Sequence, residues 1–320
     1  MSKTLLEIKG LKTHFYTSRG VVKAVDGIDL IVKRGETVGL VGESGCGKTV
    51  TGLSIIRLIS EPGRIVEGKV IFDGDDLLGL KKERMRKIRG EGIGMVFQEP
   101  LTSLNPVLRI GDQLTEAVIV HRKSSAIEAE REALALLDEV KIDSPKQTLW
   151  AYPHQLSGGM RQRVGIAMAL MLKPKLVLFD EPTTALDVTV QSGILQLLKG
   201  LRQKMGLSSL FITHDLSVAA QLADRIVVMY AGKVVEDAKA GDIFKKPRHP
   251  YTKGLLDSIP KREDKGRLRS IAGSVPDLMN LPKGCPFHPR CPLKESRCEK
   301  ELQDMRRAEE DWRVRCWKAA

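Results

Sequence analysis

The chain has 320 residues, 42% hydrophobic and 29% charged, enough to bury the core of one large domain with an appendage or of two domains. It has no apolar stretch long enough to span a bilayer, and its opening, MSKTLLEIKG, lacks a signal-peptide pattern, so a cytoplasmic protein is expected. The formal charge of +12 invites nucleic acid as a partner, but aromatics are only 4% and the densest basic run, KKERMRKIRG (81–90), is broken by Glu83. Those charges read as solvated faces, and they also suit a protein working beside anionic lipid.

The first forty residues read as β structure: LLEIKGLKTHF and VVKAVDGIDLIV, separated by the turn TSRG. ETVGLVGESGCGKTV is a buried strand, a glycine-rich turn and a helix expected to carry Val50, Leu53, Ile56 and Ile59 on one side. Asp73-Gly74 predicts a tight hairpin. Residues 107–165 read as mostly helical, with a capping box at Ser125 and Glu128 and an apolar stripe through Ala133, Leu134, Leu137 and Val140. KLVLFDE (175–181) and SLFITHD (209–215) have the composition of central parallel strands, and RIVVMYAGKVVE reads as a further hairpin. Periodicity fades after residue 241, which sets a domain boundary near 245.

GESGCGKT fits the phosphate-loop pattern G-x-x-x-x-G-K-[ST] at Gly42, Gly47, Lys48 and Thr49. Glycines let backbone N–H groups curl around phosphate oxygens, and the following helix points its positive end at the same anion. The nucleotide contacts are expected from Gly42, Ser44, Gly45, Cys46, Gly47, Lys48, Thr49 and Val50, with Lys48 reaching the β- and γ-phosphates and Thr49 binding Mg²⁺. In LVLFDEP, Asp180 is expected to bind Mg²⁺, and Glu181 to orient or deprotonate an attacking water. LSGGMRQR (156–163) sets Ser157, Gly158 and Gly159 at a helix start, a second phosphate site.

With LSGGMRQR in the order phosphate loop, LSGGMRQR, LFDEP, the chain resembles the ATP-binding-cassette family over roughly residues 4–240. The resemblance implies an α/β fold: a P-loop (RecA-like) ATPase core with an N-terminal antiparallel β subdomain, a helical subdomain at about 100–165, and a small irregular C-terminal extension. It divides the chain at 1–245 and 246–320. It also implies a head-to-tail dimer in which Ser157 of one subunit faces the γ-phosphate held by the other. Gln98 looks like the glutamine that senses Mg²⁺ and the attacking water, His214 like the histidine that clamps the γ-phosphate, and the loop ending at Asp187 like the dimer contact. Phe15 or Tyr16 is the candidate to stack on adenine, with core packing the alternative for either, and Met160 stands where the family commonly has glutamine.

VFQEPLTSLNPV, RHPYTKGLLDSIP and GSVPDLMNLPKGCPFHPRC resemble the subgroup that energises dipeptide and oligopeptide import, and they also fit the related nickel importers. The expected setting is peripheral, on the cytoplasmic face of the cell membrane. The expected partners are transmembrane permease subunits, a second ATPase subunit (identical or related) and, indirectly, an extracytoplasmic peptide-binding protein. A nucleic-acid protein built on the same cassette is the alternative of another class. Such proteins split the cassette with a coiled coil or duplicate it, and neither pattern occurs here.

Cys285, Cys291, Cys298 and Cys316 are spaced x5, x6 and x17. Structural zinc sites usually offer C-x₂₋₄-C pairs, and disulfides are disfavoured in a reducing compartment. The clustering and two Cys-Pro dipeptides favour a metal, and the subgroup resemblance implies a [4Fe–4S] cluster ahead of Zn²⁺, with unligated thiols third. His288 would serve only if one cysteine did not.

Overall fold

The computed structural model describes residues 3–99, 103–184, 186–259 and 270–319. The chain divides into two compact units, Met1–Gly79 with Phe211–Ala320, and Leu80–Leu210.

The first unit opens with β1 (Thr4–Thr17) and β2 (Gly20–Lys33), antiparallel, with Thr17 opposite Gly20 across the predicted turn. β3 (Thr37–Val41) is buried at all five positions and runs into the glycine-rich loop and α1 (Lys48–Ile55). β4 (Gly63–Phe72) pairs antiparallel with β1, and β5 (Asp75–Asp76) folds back on it through Asp73 (φ 52°) and Gly74 (φ 97°). Two successive positive φ values make the two-residue turn expected for Asp-Gly. Together these strands form a sheet in the order β2-β1-β4-β5.

α1 departs from the expected stripe. It ends at Ile55, and its buried residues are Lys48, Thr51, Gly52, Ser54 and Ile55, not a face through Val50, Leu53 and Ile59. Thr51 Oγ1 donates to Gly47 O (2.9 Å) and Ser54 Oγ to Val50 O (2.6 Å), while the Ser54 hydroxyl also meets that of Thr13 at 2.8 Å. Small hydroxyl side chains satisfied in this way can be buried at little cost, and they let the helix pack closely.

The second unit contains α2 (Lys82–Lys87), β6 (Ile93–Val96), α3 (Ile110–Arg122), α4 (Ala126–Glu139), α5 (Pro145–Trp150), α6 (Gly158–Leu170), β7 (Leu176–Asp180) and α7 (Val188–Met205). The Ser125–Glu128 capping box is present at the start of α4, which buries Ala129, Ala133 and Leu137. β6 and β7 are parallel, with Val96 opposite Phe179.

β8 (Ser208–Thr213) runs across the division, and the chain returns to the first unit with α8 (Leu216–Leu222), β9 (Arg225–Tyr230) and β10 (Lys233–Lys239). β9 is parallel to β3 and antiparallel to β10, which gives the predicted hairpin. After α9 (Ala240–Lys245) and α10 (Pro250–Asp257), the C-terminal segment adds β11 (Arg306–Glu309) and β12 (Trp312–Val314), with Val314 opposite Glu236 of β10. The buried Glu236 carboxyl accepts from Arg248 N (2.9 Å), His249 N (3.0 Å) and Trp312 Nε1 (2.9 Å). Phe287 and Trp312 of this segment join Tyr230, Val228 and Tyr251 in one apolar cluster. A stretch without periodicity therefore gains its core by docking on β9 and β10.

Candidate functional site

In the first unit, the loop between β3 and α1 needs glycine where the backbone is crowded. A Cβ at Gly42 would stand 2.2 Å from Met229 O, and one at Gly47 (φ 105°) 2.1 Å from Ala24 O. Ser44 and Gly45 are exposed at the tip, Thr49 and Val50 are half-buried, and the Lys48 side chain is buried against its own loop. Its Nζ donates to Gly42 O (2.8 Å), to Glu43 O (3.0 Å) and, more weakly, to Cys46 Sγ (3.9 Å), so the ammonium is centred on the loop. Cys46, expected from the sequence among the nucleotide contacts, is fully buried, and burial pushes its thiol pKa up.

Phe15 and Tyr16 are neighbours on β1 and face opposite ways. Phe15 shares the face of Thr13, which hydrogen-bonds Ser54 of α1, whereas Tyr16 is exposed and carries the Arg64 guanidinium 5.9 Å from its ring centroid. His214 is exposed at the end of β8. The next residue, Asp215, caps α8 by accepting from Ser217 N (2.7 Å) and Val218 N (3.3 Å).

In the second unit, Asp180 ends β7 and Glu181 follows at φ 46°, both nearly fully buried. Non-glycine residues rarely adopt that conformation, and here it turns the Glu181 side chain off the strand axis. Glu181 Oε2 accepts from Gln98 Nε2 (3.2 Å) and Thr184 Oγ1 (2.8 Å), which brings together two residues predicted from sequence and one that was not. Ser157 caps α6, its Oγ accepting from Met160 N at 3.3 Å, and Gly158 and Gly159 form the first turn. A Cβ at Gly159 would stand 2.8 Å from Val190 of α7. Asp187 caps α7 through Val190 N (2.9 Å), while Ala185 of the predicted dimer-contact loop lies outside the described residues, as do residues 100–102 and Pro260 of the importer-like stretches.

The four C-terminal cysteines line one narrow cavity, with His249, His288 and Trp317 also on its wall. None is in a disulfide. Cys285 N donates to Cys298 O (2.8 Å), and Gly284, at φ 71°, permits that approach because a Cβ there would lie 2.3 Å from the same oxygen. Burial raises the Cys285 thiol to about 11 and pushes Cys291 and Cys316 up as well. Among the described residues, no group of three or more His, Cys, Asp or Glu is arranged as it would be around a metal ion. The donor set still fits a metal group in kind: four thiols turned to one cavity, with buried His288 Nδ1 and Trp317 Nε1 beside it lacking hydrogen-bond partners.

Sequence reasoning missed Thr184, Glu43, Tyr251 and Arg290. Thr184 follows the DEP tripeptide and was legible there. The other three depend on a meeting of residues 43, 251 and 290 that no spacing announces.

Residues 25–184 match the family described as ABC transporter, and residues 235–298 match the one described as oligopeptide/dipeptide transporter, C-terminal region. The oligopeptide transport ATP-binding protein AppD of Bacillus subtilis is 51% identical over 297 residues, 92% of this chain and 90% of that relative. The dipeptide transport ATP-binding protein DppD of Bacillus subtilis is 47% identical over 98% of this chain and 94% of its own length. The oligopeptide transport ATP-binding protein OppD of Salmonella typhimurium is 46% identical over 91% and 87%. Among solved structures, the dimeric post-hydrolysis state of the ATP-binding cassette MJ0796 bound to ADP and Pi has a TM-score of 0.66 at 31% identity, covering 73% of this chain and 98% of that one.

Proposed function

The chain belongs to the ABC transporter family, and we propose that it is the ATP-hydrolysing subunit that energises dipeptide or oligopeptide import through a membrane complex. The observation that carries this reading is the match of residues 235–298 to the oligopeptide/dipeptide transporter C-terminal region, joined to a complete set of cassette motifs. Among the described residues no helix is long and apolar enough to cross a membrane, so translocation is assigned to permease partners, with this subunit on their cytoplasmic face. Peptide capture falls to a separate binding protein.

In this reading the N–H groups of residues 44–50 and the start of α1 hold the β- and γ-phosphates, and Lys48 adds its ammonium charge. Thr49, Asp180 and Gln98 hold Mg²⁺, which offsets charge on the phosphates. Glu181 orients or deprotonates the attacking water, with Gln98 and Thr184 fixing its carboxyl. His214 clamps the γ-phosphate, and Phe15, on the α1 face of β1, stacks on adenine. Ser157, Gly158 and Gly159 meet the γ-phosphate held by a second ATPase subunit, identical or related. The dimeric MJ0796 cassette supports that arrangement.

Cys285, Cys291, Cys298 and Cys316 would hold a [4Fe–4S] cluster, whose chemistry here is to cross-link a segment that has no core of its own. Four thiols around one cavity, with no C-x₂₋₄-C pair among them in the sequence, suit a polynuclear group better than zinc.

The test is ATP-dependent uptake of a labelled dipeptide and a pentapeptide into vesicles carrying this subunit with its permease partners. Uptake that stops with Glu181→Gln, while ATP still binds, is expected. Vesicles that accumulate nickel but neither peptide would overturn the substrate assignment, and wild-type chain without ATPase activity would overturn the whole reading.

A further inference from the structure

Glu43 is the second residue of the phosphate loop, and its side chain is held from the far end of the sequence. Arg290, one residue before Cys291, donates Nη1 to Glu43 Oε2 at 2.8 Å and Nη2 to Oε1 at 3.0 Å. This parallel two-bond fork is among the strongest and most directional side-chain contacts. Arg290 is itself anchored: Nε donates to Ala272 O (2.9 Å), Nη2 also to Ile271 O (3.3 Å), and its side chain is only 5% exposed. The Glu43 N–H donates to the Tyr251 hydroxyl at 2.9 Å, and Tyr251 packs edge-on against Tyr230 with ring centroids 4.6 Å apart. Phe287, two residues from Cys285, closes that aromatic group at 5.2 Å from Tyr230 and 5.4 Å from Tyr251.

Residue 43 is thus gripped at its N–H by Tyr251 and at its carboxyl by Arg290, while its carbonyl receives Lys48 Nζ. With the N–H and the side chain both fixed, the carbonyl stays aimed at the lysine. Neither grip comes from the loop or from α1.

We propose that Arg290 is a positioning residue for the nucleotide: through its fork on Glu43 it holds the phosphate loop and Lys48, so the cysteine-bearing segment forms part of the ATP site's support. The proposal rests on the reading of that loop as the ATP site. The cysteine segment then does more than decorate the cassette, because loosening it releases Glu43.

A double-mutant cycle on the full chain tests this, using Arg290→Gln, Glu43→Gln and the pair, with steady-state ATP hydrolysis and binding of a fluorescent ATP analogue measured on all four proteins. Each single substitution is expected to raise KM and the analogue Kd about tenfold with kcat within about twofold, the signature of lost ground-state positioning. The pair should be no worse than the worse single, since both remove the same contact. Arg290→Lys, which keeps the charge but loses the fork, should fall between, at about threefold, and it serves if the glutamine variant folds poorly. Arg290→Gln and Arg290→Lys that both leave KM and Kd within twofold of wild type would overturn the proposal, as would effects that multiply in the pair. Wild-type chain that binds the analogue without hydrolysing ATP would sink the ATPase reading alone, with the cycle still decided on Kd.

Discussion

Thr184→Val is the sharpest probe of the role proposed for the Glu181 carboxyl. The two side chains have nearly the same shape, so the substitution removes the 2.8 Å bond from Thr184 Oγ1 to Glu181 Oε2 and little else. Gln98 Nε2 still reaches the same oxygen, but at 3.2 Å, the longer and weaker of the two contacts. A hydroxyl bonded to a carboxylate contributes about 1.5–3 kcal/mol where water is excluded, and Glu181 is only 7% exposed. Thr184 is half-buried, so part of that is recovered by solvent, leaving about 1.4 kcal/mol, or roughly tenfold in rate. In the proposed role, the contact holds a group that acts on water and not on bound nucleotide. The loss should therefore fall on kcat, with KM for ATP unchanged. Single-turnover hydrolysis at saturating ATP measures it directly. Thr184→Ser, which keeps the hydroxyl, should return most of the rate. In a Glu181→Gln background Thr184→Val should cost nothing further. A variant with full kcat, or one whose loss appears only in KM, would refute the assignment of Thr184 as the support of Glu181.

Phe15→Ala should raise KM for ATP about tenfold through loss of a stacking platform, while Tyr16→Ala changes it less than twofold; the reverse order in a binding titration would move the adenine to the other face of β1. Anaerobically purified protein should carry iron and acid-labile sulfide in equal amounts and absorb in the visible, and replacing any two of the four cysteines with serine should remove both; stoichiometric zinc instead would exclude the cluster. Burial lowers the His249 imidazole to about 3 from its ordinary 6.5, against a hydrogen bond to the Arg315 backbone that favours the charged form, so between those values the unfolded chain binds more protons than the folded one. Stability must then fall as pH drops below 6.5, by about 2 kcal/mol at pH 5 from this residue. His249→Asn, which can still accept from Tyr251 N as the cap of α10, should unfold in denaturant with a shallower pH dependence, and parallel profiles would show that His249 is not held neutral.

The phosphate loop, β7 with its acidic end and the β9–β10 hairpin were legible because each is local: a periodic or apolar run flanked by glycine or a charged terminus. The α4 capping box was legible for the same reason, both partners lying three residues apart. The buried face of α1 was not. Pattern reading assigns burial to the large apolar residues Val50, Leu53, Ile56 and Ile59, of which only Ile56 is buried, whereas the helix buries Thr51 and Ser54, whose hydroxyls are satisfied by backbone carbonyls one turn back. Binary patterning has no symbol for a polar group that carries its own partner.

The docking of the C-terminal segment was hidden by the same logic in reverse. Its irregular composition reads as an appendage, yet Phe287 and Trp312 are buried on β9 and β10, and Arg290 returns to a residue 247 positions earlier. Such a return carries a loop-closure entropy that contacts at its end must offset, beside the apolar burial. The buried Glu236 carboxyl, taking three N–H donors, and the Arg290–Glu43 fork are the two contacts built for that purpose. A cross-link among the four cysteines would close the separate loop between Cys285 and Cys316 and hold Arg290 in a fixed segment. The cysteines and the fork are therefore answers to one problem, which is how a segment without periodicity stays docked beneath the phosphate loop.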